Sequence, residues 1–336
     1  MDPADLEIHR RPDPSVIDAI GALLADLTVP GGPEPLSEQK HLDLAGLPGR
    51  RFTALLLPRR SGATPAGYAH LHPDPGGGTE PAYHLEVVVD PGSPGPDDAA
   101  RVLLDGALAE VARAGGGTVT YWVPAATPAD EDRAAASGFA PDRSLLQMRC
   151  ALPLAAGGPS GTRAAGATIR AFGPGRDEDA WLRVNNRAFA GHPEQGGWTM
   201  ATILERERAP WFDPQGFRLL EVDGRLAGSC WTKVHREAHP PEGEIYVIAV
   251  DPEFSGHGFG RTLAVDGLDH LARSGLTVGM LYVDGANDPA VGLYRSLGFT
   301  EARVDRSFVA RVEGSGDPAD QVADEEGHPG GHPGDQ

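Results

Sequence analysis

Residues 243–261 read GEIYVIAVDPEFSGHGFGR. The run Ile245, Tyr246, Val247, Ile248, Ala249, Val250 is apolar and rich in β-branched side chains, which predicts a strand. Asp251-Pro252 ends it, because proline has no N–H to give to a ladder. A short glycine-rich loop comes next and runs straight into a helix from about Phe259. Strand, tight glycine loop and helix together form a phosphate-binding geometry. The first N–H groups of a helix lack intrahelical partners, and the macrodipole adds about half a positive charge there. Gly256, Gly258 and Gly260 remove the Cβ atoms that would hold a pyrophosphate off those amides.

Working outward, the same order of elements occurs twice. The first half predicts a strand near Leu6 to His9 and a helix capped by Ser15. Beyond them lie a short helix capped by Ser37, a strand pair at Phe52 to Leu57 and Gly67 to Leu71, and an apolar strand from Tyr83 to Val89. A helix capped by Asp97, a strand from Thr118, a short helix from Asp130 and a last strand from Leu145 to Leu152 complete it. The second half restarts at Thr168. It carries helices over 177–189 and 198–208, a hairpin across Asp223-Gly224, the opening strand and its helix, a strand over 277–283, a helix from Asn287, and a final strand over 304–312. The Asp-Pro at 90 and at 251, and the glycines at 67 and 228, lie 161 residues apart. The Gly-Phe pairs at 138 and 298 lie 160 apart. Three landmarks at nearly one offset predict a duplicated domain. The predicted organisation is a first domain over 1–152, a linker over 153–167, a second domain over 168–313 and a disordered acidic tail over 314–336.

Composition limits the function classes. At 336 residues, with 40% hydrophobic content, the chain can build two real cores. A net charge of −19 excludes the basic face that nucleic acid or an anionic membrane requires. No apolar run reaches the roughly 18–20 residues of a membrane span, and the N-terminus has no apolar leader segment, so a cytoplasmic protein is expected. Two cysteines, Cys150 and Cys230, make neither a disulfide framework nor a zinc cluster, and no metal is expected.

Two motifs, VDPEFSGHGFGRTL (250–263) and NDPAVGLYRSLGF (287–299), resemble the GNAT acetyltransferase superfamily. A Rossmann nucleotide fold fits less well. The glycine loop comes late in its domain, lies after a hairpin and lacks the ribose-binding acid at the right distance. The resemblance implies a mixed-sheet α/β (α+β) fold of two tandem GNAT domains related by duplication. It also implies acetyl-CoA as co-substrate. RVNNRAFAGHPEQGGWT (183–199), WTKVH (231–235), GEIYVIAVDP (243–252) and MLYVD (280–284) are similar to tandem members that work in mycothiol biosynthesis. Those members acetylate the cysteinyl amine of cysteinyl-glucosaminyl-inositol, a small thiol-sugar. A monomer with an internal pseudo-dimer is implied. Another small amine as acceptor, or a non-catalytic acyl-CoA sensor, are the alternatives; GHPEQGG and WTKVH weigh against the first. Retention of Glu244 and Tyr294 weighs against the second.

By the resemblance, Glu244 at the head of the central strand is the base that takes the ammonium proton. Tyr294 protonates the leaving thiolate. Backbone groups of Ile248, Ala249 and Val250 would hold the pantetheine arm and thioester carbonyl. Ser255, Gly256, His257, Gly258, Phe259, Gly260 and Arg261 would hold the pyrophosphate, with Asn287, Asp288, Pro289, Ala290, Val291 and Gly292 completing the coenzyme site. Ser255 stands where the superfamily usually has Gln or Arg, and this removes some charge compensation. Glu38, Glu194, Lys233, Glu244 and Tyr282 are the implied acceptor contacts, although Glu38 and Lys233 taken singly also read as ordinary surface charges. In the first half, Asp90-Pro91 leads into GSPGPDDAARVL with no glycine cradle. Asp97 and Asp98 there would repel a phosphate. Val87, Val88 and Val89 could still offer strand backbone to a coenzyme, and no catalytic role falls to Glu86 or Tyr83.

Overall fold

The computed structural model describes residues 5–29, 35–45, 51–59, 64–74, 80–155, 166–191 and 195–315. Most of the expected linker, the tail beyond Ser315, and Glu194 fall outside these residues.

The first half contributes β1 (Glu7–His9), α1 (Pro14–Leu27), α2 (Glu38–Leu44), β2 (Thr53–Leu57), β3 (Gly67–Pro73), β4 (Ala82–Val89), α3 (Pro96–Arg113), β5 (Gly116–Val123), α4 (Pro128–Ala136) and β6 (Ala140–Ala151). The second contributes β7 (Ala167–Ala171), α5 (Glu178–Ala188), α6 (Met200–Glu207), β8 (Phe217–Val222), β9 (Arg225–His235), β10 (Glu242–Val250), α7 (Phe259–Arg273), β11 (Val278–Asp284), α8 (Asp288–Ser296) and β12 (Thr300–Glu313). Among the described residues these strands form one mixed sheet, ordered β1-β2-β3-β4-β5-β12-β6-β11-β10-β9-β8-β7. Only β4–β5 and β10–β11 pair in parallel. The closing strands are exchanged: β12 of the second half pairs with β5, and β6 of the first half pairs with β11.

Helices cover both faces, and strand alternation shows how. Leu55 and Leu57 of β2 enter the cluster built on α3, whereas Ala54 and Leu56 enter the one built on α1. In the second half Leu220 joins the α7 cluster and Leu219 the aromatic cluster under α5 and α6. That aromatic cluster is dense: Trp231 stacks on Phe217 at 4.3 Å and meets Trp181 edge-on at 5.8 Å. The Asp223-Gly224 turn has φ of 50° and 76°, as the two-residue hairpin requires.

Two expected caps are displaced. Asp13, not Ser15, caps α1, accepting from the N–H groups of Ser15 and Val16. Gly95, not Asp97, caps α3, and Asp97 lies in its first turn. Ser37 does hold the cap position of α2, but its side chain turns to Glu86 instead of the helix.

Candidate active site

The central strand β10 is bonded along its length to β9, as far as Val250↔Gly228. Its ladder to β11 runs only from Glu242↔Val278 to Ile245↔Leu281. A register shift against β9 falls between Ile245 and Val247. Such a bulge bends a strand and re-aims the residues after it. Beyond it, Ile248, Ala249 and Val250 present main-chain groups to a gap between the strands. An extended amide-bearing ligand can add there as a further strand would. The first half repeats the feature: β4 and β5 part after Glu86↔Trp122, leaving Val87, Val88 and Val89 beyond the ladder.

A 3-10 turn (Pro252–Phe254) succeeds β10, and Asp251 accepts from its Glu253 N–H. Gly256 and Gly258 sit in the left-handed region, with φ of 80° and 75°. A Cβ built on either would meet nothing within 4 Å, so the loop opens onto free space. Gly258 caps α7 without a side chain, and the first turn carries no acid. The amides of Gly260 and Arg261 lie in that first turn, where no carboxylate of the helix competes for them. His257 turns back on Ser255 O at 2.9 Å and stacks on Phe259. Arg261 donates to Ser296 Oγ at 2.6 Å and ties α7 to α8. Asn287 caps α8, accepting from Ala290 N at 3.2 Å. Asp288, Pro289, Ala290 and Gly292 form the turns after it, and Val291 is buried. α3 differs in one respect that matters. Its glycine cap has φ of 65°, yet Asp98 Oδ2 lies 3.6 Å from the Cβ position there, and Asp97 pairs with Arg133 at 2.5 Å.

Glu244 is 7% exposed and lies on β10 opposite Lys233 of β9 and Met280 of β11. Its Oε2 lies 2.8 Å from His235 Nε2. Lys233 Nζ stands 4.8 Å from the Trp211 ring and 5.4 Å from that of Tyr246. Tyr282 on β11 accepts from Gln147 Nε2 at 2.8 Å and from Arg303 at 3.0 Å. Burial raises its phenol pKa above the ordinary value. Tyr294 packs on Phe299 within the α7 cluster, 5% exposed, and burial holds its phenol well above the usual range, so it keeps its proton at neutral pH. Glu38 begins α2; its side chain lies outside the described residues. Sequence reasoning passed over His235, Gln147 and Arg303. His235 carried a signal, since it lies two residues from Lys233 and therefore on the same strand face. Gln147 and Arg303 carried none, because β6 and β12 reach the site only through the strand exchange.

A second polar cluster lies in the first half. Asp43, His70 and His72 bring one ligand atom each within 4.8 Å of the others. The Tyr68 hydroxyl lies 2.6 Å from His70 Nδ1, and Asp43 Oδ2 lies 3.1 Å from both His70 Nε2 and His72 Nδ1. Burial pushes His70 toward its neutral form, and the charge of buried Lys40 adds to that push. Glu86, paired with His70 across β3 and β4, accepts from Ser37 N at 2.8 Å and Ser37 Oγ at 2.6 Å, which fixes it as a structural anchor for α2.

The Acetyltransferase (GNAT) family model matches residues 181–299. A mycothiol acetyltransferase of Thermomonospora curvata is 47% identical over 87% of this chain and 93% of its own. The chain belongs to the mycothiol acetyltransferase family. The family's protein from Thermobispora bispora is 44% identical over 89% of this chain and 98% of its own. Among solved structures, a GCN5-related N-acetyltransferase from Sphaerobacter thermophilus matches with a TM-score of 0.67 at 21% identity, covering 93% of this chain and 98% of that one. A tandem GNAT protein of the clavulanic acid biosynthesis pathway matches with a TM-score of 0.62 at 21% identity, over 91% and 98%. These two likenesses establish the tandem GNAT fold. No helix among the described residues is long and apolar enough to cross a membrane.

Proposed function

We propose that the protein transfers the acetyl group of acetyl-CoA to the cysteinyl amine of cysteinyl-glucosaminyl-inositol, giving mycothiol and CoA. The amine nitrogen attacks the thioester carbonyl, the C–S bond breaks, and CoA leaves as the thiol. Glu244 takes the ammonium proton. An α-amino group of pKa near 7.7–8.0 needs only modest help from a carboxylate. Tyr294 supplies the proton to the leaving sulfur. The open edge at Ile248, Ala249 and Val250 takes the pantetheine arm and polarises the carbonyl, and the loop Ser255–Arg261 with Asn287–Gly292 takes the pyrophosphate and its surroundings. Lys233 and Tyr282, with Glu38 and Glu194, bind the acceptor's hydroxyl and amine groups. A cytoplasmic monomer, whose two halves form the pseudo-dimer, suits this chemistry.

The observation that carries the reading is the coincidence on one strand. A buried carboxylate, Glu244, sits on the last paired stretch of β10, and the unpaired edge begins just beyond it. The amine and the thioester are thereby brought to neighbouring positions. The test is thiol release from acetyl-CoA with and without cysteinyl-glucosaminyl-inositol. Release that depends on the acceptor supports the assignment, and release with another small amine alone overturns it. Glu244→Gln should lower kcat by roughly 10²–10⁴-fold, with acetyl-CoA affinity unchanged.

A further inference from the structure

We propose that His235 is a positioning residue for the base Glu244: its Nε2–H holds one carboxylate oxygen so that the other faces the acceptor ammonium. The inference rests on Glu244 being the base. The contact is built by register. Glu244 pairs with Lys233 and Glu242 with His235 across β9 and β10, so His235 reaches Glu244 diagonally on the same face of the sheet. Nε2 to Oε2 is 2.8 Å, and the two side chains are 23% and 9% exposed. The bulge lies directly beyond, between Ile245 and Val247, where β10 bends toward the site.

A carboxylate has two oxygens and a soft terminal torsion. A base that must meet a proton at hydrogen-bond distance gains from having that torsion fixed. A charged donor on Oε2 fixes it and leaves Oε1 for the substrate. The other ring nitrogen, Nδ1, lies 3.3 Å from Glu237, which is 74% exposed, so the imidazole is itself held from the solvent side.

The charged groups around the ring come from β10, β6, β9 and the loop after β9. Glu244 and Glu242 lie on β10, and Arg149 of β6 engages Glu242 at 3.1 Å. Lys233 shares β9, and Glu237 stands on the loop after it. Burial opposes charge on the imidazole; the Glu244 carboxylate outweighs it, with Lys233 opposing and Glu237 assisting, and the net result is a pKa above the ordinary histidine value.

The experiment compares three variants of the full chain: His235→Ala, His235→Gln and Glu244→Gln. Gln keeps a donor near the Nε2 position and removes the titration. His235→Ala should lower kcat by roughly 10–100-fold, as a misplaced catalytic group does, with the KM for acetyl-CoA unchanged. His235→Gln should recover kcat to within about threefold of the wild type. The inflection that His235 contributes above pH 6.5 should vanish from its pH–rate profile, leaving that of the acceptor amine. By NMR, the imidazole pKa of His235 should fall when Glu244 becomes Gln. If His235→Ala keeps kcat within twofold and Glu244→Gln does not, positioning is overturned and the base stands. If Glu244→Gln keeps full turnover, the base assignment is wrong and the positioning role falls with it.

Discussion

The buried polar cluster of the first half makes a prediction at the scale of single residues. His70 is fully buried, and burial pushes its pKa down to about 4 despite the hydrogen bond to Asp43. In the unfolded chain an imidazole titrates near 6.5. Between those values the unfolded chain binds a proton that the folded one refuses, so stability falls as pH is lowered from about 6.5 toward 4. The slope is at most about 1.4 kcal/mol per pH unit, and the total about 3 kcal/mol. Asp43 is held well below the usual carboxylate range: desolvation opposes this, and the hydrogen bonds of His70 and His72 outweigh it. Its own stabilisation is therefore lost only in stronger acid. His235 has the opposite sign. Its raised pKa adds stability that is fully present below pH 6.5 and is lost as pH rises through the folded value. Urea unfolding of the wild type and of His70→Leu at pH 6.5, 5.5 and 4.5 separates the two, since His235 is common to both proteins. The wild type should lose about 2–3 kcal/mol more than the variant across that span. Equal losses would show that His70 is not the acid-sensitive group.

At the scale of elements, α3 and α7 pose one comparison. Both start at a glycine in the left-handed region, Gly95 and Gly258, and both lack a side-chain cap. What separates them is charge: Asp97 and Asp98 stand in the first turn of α3, and no acid stands in that of α7. An alanine at Gly258 would clash with nothing, yet the left-handed backbone costs a residue with a Cβ about 1–2 kcal/mol. The loop then relaxes away from the cradle. Gly258→Ala should raise the Kd for acetyl-CoA by roughly 5–30-fold, whereas Gly95→Ala should leave the coenzyme KM of turnover unchanged. Calorimetric titration with acetyl-CoA decides it, and equal affinity in Gly258→Ala and wild type would rule the cradle out as the anchor. These elements were legible in the sequence because their signals are local. The Gly loop, the apolar strand and the helix starting at Asn287 each declare themselves within a few residues. The helix predicted to start at about Phe259 starts there in the structure and runs to Arg273. The capping residues at Ser15 and Asp97 were misplaced by two positions because several acceptors compete there. Asp13 won at α1, and backbone geometry at Gly95 decided α3.

At the scale of the whole molecule, the duplication was readable from offsets, but the exchange of closing strands was not. Pairing of β12 with β5 and β6 with β11 joins residues more than 120 apart, and no local pattern encodes which partner a closing strand takes. For that reason Gln147 and Arg303, which hold Tyr282, could not be foreseen. The exchange has a mechanical consequence. β6 is flanked by β11 and β12, and β12 by β5 and β6, so neither half closes its sheet without the other. β12 pairs with β5 from Arg306↔Val123 to Glu313↔Gly116, and β6 with β11 from Val278↔Ala151 to Asp284↔Leu145, while Arg143 donates to Asp284 at 2.8 Å. Phe308, 1% exposed, is a β12 residue whose side chain lies in the first half's α3 cluster against Tyr121. Removing β12 would withdraw that ring, at a cost of about 3–5 kcal/mol for its lost burial and the cavity it leaves. A protease site engineered between Gly157 and Gly158 should therefore cut the chain without separating it. The two fragments should co-elute at the size of the intact protein and retain acetyl transfer. Residues 1–155 produced alone should lack a cooperative unfolding transition, and adding residues 166–336 should restore both the transition and activity. Fragments that part on the column and each unfold cooperatively would show that each half folds with its own closing strand.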